Sequence, residues 1–172
     1  HSRDAEIAVL GGMLCSPNAA AVALDILAPG DFYIPAHREI FAAMAELWKR
    51  SQPIDMITVS DYLKECGKLE AIGGAAYLSE IFDSVGTGAN IEHYAQIVKE
   101  KMLLRELISA ANEILDDAYS GSNEASVTLD EAERRIFAVT DKNISGNAEM
   151  LRDLVTEAYE LIEKRHGSHV TG

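Results

Sequence analysis

Apolar positions recur at three- and four-residue spacing along almost the whole chain, the pattern of amphipathic helices. Ser2 is placed to cap a first helix, with Asp4 and Glu6 in the turn where the helix dipole favours acids and Ile7, Leu10 and Leu14 on one face. Ser16-Pro17 ends that helix and opens the next, in which Leu24 and Leu27 face inward until Pro29-Gly30 breaks the chain. Pro35 opens a third helix, whose stripe is Ile40, Phe41, Met44, Leu47 and Trp48 and which Pro53 closes. Thr58-x-x-Asp61 reads as a capping box for a short fourth helix carrying Val59, Tyr62 and Leu63, stopped at Gly67. Gly73-Gly74 precedes a fifth, with Leu78 and Ile81. Together these pieces predict a compact multi-helix head over residues 1–88, roughly 30 Å across.

The pattern changes at Asn90. No Gly or Pro interrupts Ile91 to Tyr119, which predicts one helix of about 30 residues and about 45 Å. It is longer than the head is wide, so its far half projects. A polar turn at 120–123 follows, then a second capping box, Thr128-x-x-Glu131, and a return arm with Leu129, Ala132, Ile136 and Val139. Residues 89–142 therefore read as an antiparallel helical hairpin belonging to the same domain. Leu103, Leu104, Leu107, Ile108, Ala111, Ile114, Leu115 and Ala118 span a wider arc than one partner arm can cover. A broad apolar arc on a projecting hairpin implies that another chain covers it, with Leu104, Leu107, Leu115 and Ile136 as the interface. After the polar joint 143–147, Leu151, Leu154, Val155, Ala158, Leu161 and Ile162 predict a last amphipathic helix within 143–172. The fold class expected is all-α.

Composition agrees: 48% of residues are hydrophobic but only 6% aromatic, which favours helix packing over a β-sandwich. The net charge of −13, spread over both halves, makes the chain a poor binder of phosphate backbone by itself and suits basic partners. Two distant cysteines, Cys15 and Cys66, read as buried, reduced thiols of a cytosolic protein. No apolar run approaches the ~20 residues of a membrane span, and His1-Ser2 reads as native sequence cut from a longer chain.

Catalytic constellations are missing. No G-x-x-x-x-G-K-[ST] loop occurs, and Gly86-Thr87-Gly88-Ala89-Asn90 lacks the lysine that would reach a phosphate. His37-Arg38-Glu39 has no converging ligand spacing for zinc, so His37 is expected to cap or pair inside the head. Asp116-Asp117 and Asp130-Glu131 are neighbours that point to different helix faces and make no dyad. No serine nucleophile motif is present. Gly11-Gly12 inside a helix costs about 1 kcal/mol per glycine relative to alanine, which close approach of another helix would explain. No catalytic, metal or cofactor site is expected.

Four ordered blocks carry a resemblance: EIAVLGGML at 6–14, PGDFYIPAHREIF at 29–41, GGAAYLSEI at 73–81 and ANIEHYAQIVKEKMLLREL at 89–107. The chain resembles, from Ser2 to Gly172, the N-terminal domain and linker helix of the DnaB-type replicative helicases of bacteria. One departure is visible. The family usually has Val-Pro-[ST]-Ala-Ala-Asn before the long helix, and this chain has Val85-Gly86-Thr87-Gly88-Ala89-Asn90, which loosens the joint between head and hairpin.

The resemblance implies a non-catalytic assembly module. Hairpins would pair two subunits, and three pairs would close a hexamer's collar around single-stranded DNA. ATP and Mg²⁺ would belong to a C-terminal ATPase domain continuing beyond Val170-Thr171-Gly172. The primase C-terminal domain would dock on Tyr77, Ile108 and Ile114, and a helicase loader is a further possible partner. Leu151, Leu154, Val155, Ala158 and Ile162 would dock the linker helix on the motor of a neighbouring subunit. The setting implied is the bacterial cytoplasm, at the nucleoid. The rival is a free-standing helical adaptor or loader-like protein without a motor.

Overall fold

The computed structural model describes residues 2–85, 90–121 and 123–142. Every regular element among them is helical. The predicted linker helix, with Leu151, Leu154, Val155, Ala158 and Ile162, and the glycine-bearing joint at 86–89 lie outside the described residues. The elements are α1 (Arg3–Cys15), α2 (Pro17–Ile26), α3 (Pro35–Lys49), α4 (Met56–Glu65), α5 (Gly74–Asp83), α6 (Ile91–Ser120) and α7 (125–142). Short 3₁₀ turns at Pro29–Asp31 and Glu70–Ile72 lead into α3 and α5. The chain forms two compact units, divided between Arg105 and Glu106 inside α6.

In the first unit, Ser2 caps α1 by accepting from the Ala5 amide, and Ser16 both ends α1 and caps α2. Val9, Leu10 and Met13 of α1, Ile40, Phe41 and Met44 of α3, Val59 and Leu63 of α4, and Leu78 and Ile81 of α5 close one apolar core. Burying each such side chain contributes about 1.5–3 kcal/mol. Asn90 starts α6 by accepting from the His93 amide at 3.1 Å. Ile91, Ala95, Val98 and Met102 then carry the first half of α6 along the same unit as buried residues. Gly11 and Gly12 are there for close approach, as their position inside a helix predicts. A Cβ on Gly11 would lie 2.7 Å from the Ile81 carbonyl of α5 and collide with Val85, and one on Gly12 would collide with Ile91.

Four details differ from the sequence reading. Helix α4 starts earlier than the Thr58 box implies, because Asp55 is the cap: its Oδ1 accepts from the Ile57 and Thr58 amides at 3.0 and 2.9 Å. α7 likewise starts before Thr128, whose hydroxyl points back to the Glu124 carbonyl. Trp48 lies outside the α3 stripe and is 43% exposed. Cys15 and Cys66 are exposed rather than buried, since each sits at the end of its helix where the apolar face has run out.

Candidate partner-docking sites

The segment Asp31–Ile34 enters α3 with its backbone held by charged side chains from three helices. Glu6, on α1, accepts from the Tyr33 amide at 2.7 Å and the Ile34 amide at 3.3 Å. Arg38 donates to the Phe32 and Tyr33 carbonyls, and Arg105 donates to the Asp31 carbonyl while its guanidinium lies over the Tyr33 ring. The Asp31 carboxylate accepts from the Ala28 amide and from Lys99. A turn that leaves its amides and carbonyls inside the protein must find such partners, and here they are ionic, the stronger kind.

Glu6 also holds His37. The imidazole is fully buried, its Nδ1 2.7 Å from Glu6 Oε2 and its Nε2 2.7 Å from the Tyr77 hydroxyl. Burial pushes the Glu6 carboxyl upward, but the His37 hydrogen bond, the two amides and the His37 charge outweigh it and hold the group below its ordinary 4.5. Ionised Glu6 accepts only, so Nδ1 carries a proton; with the ring neutral, Nε2 accepts from Tyr77. His37 thus pairs inside the head, as its missing ligand spacing predicts. Tyr77 itself is half-buried, its ring nearly parallel to the imidazole at 5.9 Å between centroids. Nearby, Tyr77 raises the pKa of the Arg3 guanidinium above its usual value by hydrogen bonding, and Arg3 lies 3.7 Å from Glu80.

In the second unit α6 and α7 run antiparallel. Lys142 pairs with Glu106 at 2.7 Å, while Arg135 pairs with Glu113 at 3.4 Å and with Asp117, so the partners run in opposite order along the two helices. Ala110, Ala138 and Val139 line the seam between them with Arg135. Leu129, read from the sequence as packing on the return arm's side of the hairpin, faces outward instead, 70% exposed, and Ile136, expected at the interface, is 41% exposed. The reason is that small and charged residues occupy the seam. Ile136 joins Leu129, Ala132 and Phe137 along a shallow outer groove. Leu107, Ile108 and Leu115 are exposed, as is Leu104 at the end of the first unit; Ile114 is half-buried. Among the described residues no helix is long and apolar enough to cross a membrane, and no cluster of His, Cys, Asp and Glu could hold a metal ion.

The profile of the DnaB-like helicase N-terminal domain matches residues 1–100. The chain belongs to that family. The replicative DNA helicase DnaB of Geobacillus stearothermophilus is 43% identical over 174 residues, a match that takes in all of this chain and 38% of that protein. The crystal structure of the N-terminal domain of DnaB helicase from Mycobacterium tuberculosis superposes with a TM-score of 0.76 at 41% identity, covering 80% of this chain and 97% of that one. The structure of a DnaB-like replicative helicase and its interactions with primase matches with a TM-score of 0.65 at 27% identity, over 80% of this chain and 30% of that one. The family fold is thus all-helical, as the sequence implies.

Within this DnaB-like domain two residues escaped the sequence reading. Glu6 looked like a first-turn acid and proves to be the hub of the α1–α3 contact, only 2% exposed. Its spacing of 31 positions from His37 carries no local signal. Phe137 is 67% exposed beside Ile136; it could have been singled out as an aromatic residue off the predicted seam of its helix.

Proposed function

We propose that this chain is the N-terminal, non-catalytic module of a ring-shaped bacterial replicative helicase. Its hairpin pairs two copies through Leu104, Leu107, Leu115 and Ile136, and three such pairs close a collar around the translocating single strand. ATP and Mg²⁺ are handled by a C-terminal motor domain, and Leu151, Leu154, Val155, Ala158 and Ile162 dock the linker helix on the motor of a neighbouring subunit. The primase C-terminal domain docks on Tyr77, Ile108 and Ile114. The observation that supports pairing is the apolar surface of the hairpin, where Ile108, Leu115, Leu129 and Phe137 are each more than half exposed. Surface of that kind on a helical hairpin marks a protein interface. The relatives, which are replicative DNA helicases, support the helicase reading, and the related structure with primase interactions supports primase as a partner.

Titrating the cognate primase C-terminal domain against the wild-type chain, Tyr77→Ala and Ile114→Ala tests the docking surface. Interface anchors that are truncated commonly cost about 1–3 kcal/mol, roughly tenfold to a hundredfold in affinity. Unchanged affinity in both variants, each shown folded by circular dichroism, would move the site elsewhere.

A further inference from the structure

Three features restrict Tyr77. Its hydroxyl meets His37 Nε2 at 2.7 Å, and the two ring planes are 7° apart. Beside its first carbons stands Gly73, at φ 104; a Cβ there would come within 2.9 Å of Tyr77 Cβ. His37 is fixed in turn by Glu6, and Glu6 by the amides that open α3. So a side chain on α5 is registered against α1 and α3 through three consecutive polar groups.

A buried ionic contact is weak evidence of a stability role, because apolar residues of the same volume often serve the core as well or better. The geometry here is directed outward: the fully buried imidazole reaches a residue that still shows part of its ring to solvent. We propose that His37, oriented by Glu6, is a positioning residue for docking, which fixes the Tyr77 ring in one orientation so that the partner meets a preorganised anchor. This rests on the reading of Tyr77 as a docking residue. The hydroxyl is committed to His37 Nε2 at 2.7 Å, so the part of Tyr77 offered to a partner is the ring, which suits an aliphatic or aromatic pocket. Ordering a loose side chain on binding opposes association, and its prior ordering is worth roughly three- to tenfold in affinity.

The test is a double-mutant cycle on the 172-residue chain, read by calorimetric titration with the primase C-terminal domain. The variants are His37→Phe, which keeps a ring but breaks both contacts, Tyr77→Phe, which breaks the same contact from the surface side, Tyr77→Ala, and His37→Phe combined with Tyr77→Ala. The inference expects His37→Phe and Tyr77→Phe each to weaken binding roughly three- to tenfold. The Tyr77 ring resonances should broaden or double in a folded His37→Phe relative to wild type, a change that lost stability alone does not produce. It also expects the combined variant to bind no worse than Tyr77→Ala. Wild-type affinity in Tyr77→Phe, or in a folded His37→Phe, while Tyr77→Ala is weakened overturns the positioning role and leaves the docking surface standing. Additive losses overturn it too, because His37 would then act on binding without Tyr77. Wild-type affinity in Tyr77→Ala removes the docking reading itself. Should His37→Phe fail to fold, Tyr77→Phe decides alone.

Discussion

The two units of this protein are built on opposite plans. The first closes on itself: Val9, Leu10, Met13, Ile40, Met44 and Leu78 are fully buried, and its buried polar side chains Glu6, His37 and Asp31 each have hydrogen-bond partners. The second, described from Glu106 to 142, has Ala110 as its one buried apolar residue, while Leu107, Ile108, Leu115, Leu129 and Phe137 are exposed. Its helices are joined at the seam by alanines and by ion pairs that are themselves largely solvated. Exposed ion pairs contribute about 0–1 kcal/mol each, too little to hold an isolated helical pair. A self-sufficient core and an unfinished one thus share the single helix α6, and the pairing proposed above would complete the unfinished one.

The sharpest way to break that comparison is to truncate one phenylalanine in each unit. Phe41 is 1% exposed and its ring centroid lies 4.8 Å from that of Phe32, so Phe41→Ala should cost about 3–5 kcal/mol in denaturant unfolding. Phe137→Ala should change unfolding of the dilute chain by less than about 0.5 kcal/mol and instead weaken self-association. Equal losses in the two variants would show that the hairpin has a closed core after all.

Next in size is a charge on the uncovered face. Leu107→Glu should shift sedimentation from oligomer toward monomer while the helical circular dichroism persists, a loss of about 1–3 kcal/mol of association. A wild-type chain that is monomeric at high concentration would sink the idea.

Acid gives the smallest effect and probes only the closed unit. Glu6 ionises below its ordinary 4.5 in the folded chain, so the unfolded chain takes up the proton first. The stability Glu6 contributes is complete above about 4.5 and is lost as pH falls through the lower, folded value. Thermal midpoints should therefore drop below that pH in the wild type, and less steeply in Glu6→Gln.

Most of the helical framework was legible because it rests on local signals: Ser2 and Ser16 as caps, Pro17 and Pro35 at first turns, and an uninterrupted run after Asn90. Gly11-Gly12 was readable for the same reason, since an unfavourable residue inside a helix needs a neighbour to justify it. What escaped was decided by a competing local cap or by partners far along the chain. Asp55 displaced the Thr58 box because its carboxylate reaches the free amides first, and Glu6 became a hub only once residues 33, 34 and 37 were folded onto it. The outward turn of Leu129 escaped because a pattern of apolar spacing says which residues share a face, not which face the neighbouring arm takes.

The ionic clasp on Asp31–Ile34 has a consequence for synthesis. Its bonds from Glu6, Lys99 and Arg105 join positions 27 to 74 residues apart, the longest from Arg105 to Asp31. Contacts of such long sequence separation form late and slowly. A nascent chain that has released α1 to α5 can collapse but cannot complete the clasp until residue 105 emerges. The ribosome therefore delivers the whole first half of α6, Ile91 to Arg105, before the turn that opens α3 can be locked.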